Sequence, residues 1–148
     1  MKKLVVLFVC TTLLFAGLWL YESADPFDTQ RMEELCQEQA ESAAEAFQNY
    51  EKFREINRNE GEYWGAVSRF YTFKELVLPL YGDRWKESVY PDADGIYDFM
   101  IFRPELIQEH LGEVVDALEI IGEDWTAPDA RRALSQLSYD LQYVWQNN

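Results

Sequence analysis

A chain of 148 residues, 48% hydrophobic and 16% aromatic, has material for one core and too little length for several domains, which excludes global disorder. Its net charge of −14, from 27 acidic against 13 basic residues, argues against a nucleic-acid partner, whose phosphates want clustered Lys and Arg. The same acidity argues against a domain lying on an anionic lipid surface and leaves a basic partner, cations or plain solubility.

The first element is apolar. Lys2 and Lys3 form a short positive flank, and Leu4 to Tyr21 follow without a charge. As a helix these 18 residues would span roughly 27 Å, close to the hydrocarbon thickness of a bilayer. Trp19 and Tyr21 stand at the far end, where aromatic belts meet the interface. A cleaved signal peptide is the alternative, but it wants a shorter apolar region and a small-x-small cleavage site. Before Ala24, Glu22 stands where a small residue is needed. The expectation is therefore a cytoplasmic stub at 1–3, a transmembrane signal-anchor at 4–21 and an acidic extracytoplasmic helical domain at 22–148. Cleavage would make the protein secreted. Cys10 falls in the span and Cys36 in the domain, so no disulfide within the domain is expected, and Cys36 is expected to be a buried small hydrophobe.

Asp25-Pro26 is a helix start signal. Beyond it Met32, Cys36, Ala40, Ala43, Phe47 and Tyr50 recur at helical spacing, with Glu33, Glu34, Glu38, Glu41 and Glu45 on the opposite side. That helix is expected to end near Asn57 to Gly61. A second helix carries an unusually wide apolar face through Tyr63, Val67, Phe70, Val77 and Tyr81, interrupted by Lys74, with Pro79 ending or kinking it.

Residues Gly82 to Arg103 lack a clear period and carry many turn signals, so they read as an irregular, aromatic-rich insert. Pro104 then opens a helix through Ile107, Leu111, Val114, Leu118 and Ile121, which Gly122 is expected to stop. Thr126 and Asp129 form an N-cap signature for a last helix through Ala130, Leu134, Leu137, Leu141 and Val144, with Trp145 beside that stripe. The fold expected is all-α: a transmembrane helix, then a compact bundle of about four helices with the insert between the second and the final hairpin.

Chemical motifs are weaker than this pattern. In Pro91-Asp92-Ala93-Asp94-Gly95-Ile96-Tyr97-Asp98 an EF-hand register started at Asp92 fails, because Ile96, Tyr97 and Arg103 fall where a ligand, a glycine and a glutamate are required. The stretch reads instead as a turn with Gly95 at positive φ; calcium held by Asp92, Asp94 and Asp98 is a minor alternative. His110, the single histidine, has Glu113 one turn on but lacks the further ligands of a zinc or di-iron site. It reads as a surface histidine. No nucleophile motif or phosphate loop occurs, so no enzyme, catalytic residue, cofactor or metal is expected. Among many aromatics, Trp85, Tyr90 and Tyr97 sit among turn residues and are the candidates for an exposed partner-binding patch. The function expected is a non-enzymatic, membrane-tethered interaction module of adaptor, assembly-factor or inhibitor type, with a protein partner near the membrane. The rival is a small-ligand or cation sensor with a pocket between the second helix and the insert.

Overall fold

The structure is a computed structural model that describes residues 29–57 and 60–147. The stub at 1–3, the expected anchor at 4–21 and the Asp25-Pro26 start lie outside these residues. Among the described residues no helix is long and apolar enough to cross a membrane.

The described chain is helical and contains no strand. Six α-helices follow one another: α1 Thr29–Asn57, α2 Glu60–Tyr81, α3 Tyr90–Phe102, α4 Pro104–Glu109, α5 Leu111–Asp124 and α6 Pro128–Asn147, with a 3₁₀ helix at Gly82–Glu87 between α2 and α3. The count exceeds the expected four for two reasons. Part of the expected insert is itself a helix, and the helix opened by Pro104 breaks at His110 into α4 and α5.

Helix α1 packs on α2 and α5, α2 on α3, α3 on α6, and α6 back on α5. The five helices thus close a ring around one core. The stripes that define it are those of the sequence: Cys36, Ala40, Ala43 and Phe47 from α1, Phe70 and Val77 from α2, Leu118 and Ile121 from α5, and Leu134 and Leu141 from α6 are all buried. Tyr63 OH donates to the Met100 carbonyl at 3.0 Å, fastening α2 to α3 from inside.

Local chemistry explains the departures from the expected boundaries. Helix α2 runs through Pro79 to Tyr81, and Gly82, at φ +51°, makes the left-handed exit that a residue with a Cβ resists. Gly122 does not stop α5, which continues to Asp124. A Cβ there would already lie 3.4 Å from Glu41 Cα, so this glycine marks where α5 and α1 run close together. The Thr126–Asp129 cap gives way to other partners. Thr126 donates from its amide and hydroxyl to Asp124 Oδ1 at 2.9 and 2.6 Å, while Asp129 pairs with Arg132. Trp125, in this link, is buried edge-on against Phe73 and Tyr81 of α2, closing one end of the ring.

Candidate functional site

Residues 90–102, expected as part of an irregular insert with a turn at Asp92–Gly95, form helix α3. Proline in the first turn, where its missing N–H is not needed, and Asp92 at the positive end of the helix serve a helix start as well as a turn. Ser88 completes the start, its Oγ accepting from the Tyr90 amide at 3.1 Å and donating to the Trp85 carbonyl at 2.6 Å. Gly95 therefore has no positive φ, and among the described residues that conformation belongs to Gly82. Gly95 instead lies at the crossing with α6, where a Cβ would meet Ser138 Oγ at 3.4 Å. Asp92 accepts from Ser135 Oγ at 2.5 Å on the same side.

Helix α3 divides its surface three ways, as 3.6 residues per turn dictate. Ala93, Ile96 and Met100 enter the core. Tyr90, Asp94 and Tyr97, spaced one turn apart, face α2. Gly95, Asp98, Phe99 and Phe102 line a cleft toward α6.

On the α2 side the interruption of the apolar stripe becomes a centre. Lys74 is only 4% exposed. Its ammonium lies 5.3, 5.0 and 5.2 Å from the ring centroids of Tyr71, Tyr90 and Tyr97, within range of cation–π attraction to all three. Nζ donates to Glu75 Oε1 at 2.7 Å and to Asp94 Oδ1 at 2.8 Å. Burial by itself would lower the lysine's pKa. The hydrogen bonds to Asp94 and Glu75, reinforced by their negative charges, more than offset it and hold the ammonium protonated above the usual lysine range. Trp85 packs edge-on against Tyr90 at 5.7 Å, and Tyr97 tilts over Tyr71 at 5.1 Å. The three sequence candidates are thus brought together, half-buried, and two of them turn their rings toward the protein's own lysine. Tyr71, Lys74 and Asp94 complete the group. The signal for them was a single charge centred in an apolar stripe.

On the α6 side the aromatics face outward. Phe102 is 71% exposed and Trp145 52%, and they flank a cleft of about 680 Å³ lined also by Asp98, Phe99, Arg103, Gln142 and Gln146. Trp145 stands edge-on to the nearly buried Phe99 at 6.2 Å and 74°. A smaller cavity of about 280 Å³ continues from it, sharing Arg103 and Trp145 and adding Glu105, Leu106 and Glu109. The signal in the sequence was aromatic residues off the buried stripe at two helix ends. It became readable only once those ends were neighbours.

Two other residues weighed from sequence take plain positions. His110 sits at the α4–α5 break, with Nδ1 3.6 Å from Glu113 Oε1. Among the described residues no group of three His, Cys, Asp or Glu side chains is placed to hold a metal. Cys36 is fully buried, its Sγ facing the Phe73 carbonyl at 3.9 Å. Burial, with a smaller contribution from the Glu33 charge, pushes its thiol up to about 12. Comparison of the chain with protein families, with curated proteins and with solved structures finds no match.

Proposed function

We propose that the protein is a non-enzymatic interaction module, tethered to a membrane by residues 4–21 with its acidic helical domain outside, that docks a protein partner through outward-facing aromatics. The observation that carries this reading is the pair Phe102 and Trp145, 71% and 52% exposed beside an open cleft. Large rings held in water at the edge of a depression are the residue class that dominates binding energy at interfaces. The tether is supported by the uncharged run from Leu4 to Tyr21 behind Lys2 and Lys3, and it would raise the domain's local concentration near membrane partners. The rival reading, a sensor of a small ligand or cation between the second helix and the insert, is not favoured, because Lys74 itself lies among the tyrosines of α2 and α3.

The test is a photo-crosslinking amino acid placed at Phe102 in the full chain, in its native membrane, against the same group at Glu45. The latter is exposed on α1, a helix that packs on α2 and α5. Discrete protein adducts from position 102, scarce from position 45, are expected. Absence of adducts from both would overturn the module, and a shortened chain in the soluble exported fraction would overturn the tether.

A further inference from the structure

The chemistry of the α3–α6 cleft selects among partners, and the inference rests on the docking reading above. Phe99 and Trp145 meet edge-on at 74°. They form the corner of a slot and not a pair of coplanar faces, so the shape suits an inserted side chain better than a flat sugar ring. A volume of about 680 Å³ falls within the ~300–1,000 Å³ of sites that enclose small groups. It has room for an anchor side chain and the backbone beside it. Gln142 and Gln146 on the α6 wall each offer an amide donor and acceptor, which suits the peptide groups flanking such an anchor.

Charge supplies the second half of the argument. Asp98 stands in the cleft, and Glu105 and Glu109 line its extension, against a single cation at Arg103. The chain as a whole carries −14. An acidic segment would be repelled by the rim, whereas Lys or Arg residues on either side of the anchor would meet carboxylates in water at the edge, where such pairs steer and specify. We propose that the cleft between α3 and α6 seats a basic polypeptide segment that inserts one apolar side chain between Phe99, Phe102 and Trp145.

The test uses the full chain in nanodiscs of zwitterionic lipid, titrated calorimetrically with the peptide Lys-Arg-Leu-Phe-Lys-Arg. Controls are the same peptide with Glu in place of every Lys and Arg, and nanodiscs without protein. Saturable binding of the basic peptide alone is expected. Phe102→Ser and Trp145→Ser should each weaken it by about tenfold or more. Asp98→Asn with Glu105→Gln and Glu109→Gln should weaken it less and reduce its salt dependence, while Glu45→Gln should leave it unchanged. Both aromatics are exposed, so thermal melts should show the variants folded.

No binding would overturn the proposal, as would binding indifferent to Phe102 and Trp145. Binding of a chitooligosaccharide to the cleft in place of the peptide would also overturn it, as would a concentration-dependent dimer that Phe102→Ser abolishes. If position 102 yields adducts in membranes while the basic peptide fails to bind, the partner class is wrong and the docking reading stands. If no adducts form at all, the docking reading itself falls.

Discussion

Two faces of one helix use similar side chains to opposite ends. On one face of α3, Tyr90 and Tyr97 join Tyr71 around the Lys74 ammonium, with Asp94 and Glu75 as counter-ions. On another, Phe99 and Phe102 join Trp145 beside Asp98 and Arg103 around open space. The difference lies in whether the fold buries a cation among the rings. Where α2 delivers a lysine, the aromatics and carboxylates are consumed in holding helices together, and where α6 delivers glutamines and a tryptophan, they remain available. An aromatic, acid-rich stretch is therefore not a binding surface until its internal partners are subtracted.

The sharpest way to break this comparison is to remove the internal cation. Lys74→Ala should cost about 2–4 kcal/mol, through lost packing and cation–π attraction. The two carboxylates, 41% and 48% exposed, can recover water, which limits the loss. Lys74→Met keeps the stem and should cost about 1–2 kcal/mol. Denaturant titration measures both. Values near zero would make the group a bystander and return Tyr90 and Tyr97 to the list of free aromatics.

Alkaline titration sharpens the same point with a smaller effect. In the unfolded chain the Cys36 thiol ionises near 9.0, whereas in the fold it stays neutral to about 12. Its contribution is complete below 9.0 and is lost as pH rises toward about 12. Lys74, also raised in the fold from its ordinary 10.5, contributes fully below that pH and loses its contribution as pH rises through the higher folded value. The Tyr63 phenol, raised above its ordinary 10.0 chiefly by burial, acts in the same sense, so stability should fall in three overlapping stages above pH 9.0. Cys36→Ala should flatten the first and Lys74→Met the last, read from urea midpoints across the pH series. Variants that keep the parental slope would show that neither group is coupled to folding.

On the cleft side the effects on stability should be small. Phe102→Ser should change it by less than about 0.5 kcal/mol, since the ring is already in water. A larger loss would place Phe102 in the core and weaken the contrast. Of similar small size but opposite sign, Gly95→Ala should stabilise α3 by about 0.5 kcal/mol through helix propensity, because its Cβ would meet only the rotatable Ser138 hydroxyl at 3.4 Å. A loss there would mean that α3 and α6 need the glycine to approach each other.

How far the molecule was legible in advance depended on the kind of signal. The stripes of α1, α5 and α6 were read correctly because one face of an amphipathic helix repeats over several turns and averages out exceptions. Helix α3 was misread because Pro-Asp-x-Asp-Gly serves a turn and a helix start equally well. Its period was split among three faces, of which the one through Ala93, Ile96 and Met100 is fully buried. Trp85, Tyr90 and Tyr97, expected as an exposed patch, are half-buried neighbours in which Tyr90 meets Trp85 and both Tyr90 and Tyr97 meet Lys74. Nothing local to them announced the cation they would enclose.

Taken alone, the sequence determined an all-helical acidic domain, its core stripes, the burial of Cys36 and an uncharged run of membrane-spanning length at 4–21. These follow from periodicity and composition, which are properties of neighbours along the chain. Only the tertiary structure decided that α3 exists as a helix between α2 and α6, that Lys74 meets residues 16 to 23 positions ahead of it, and that Phe102 and Trp145 flank one cleft. Those pairings depend on which helix faces pack together, and a side chain's availability is set by what packing brings against it.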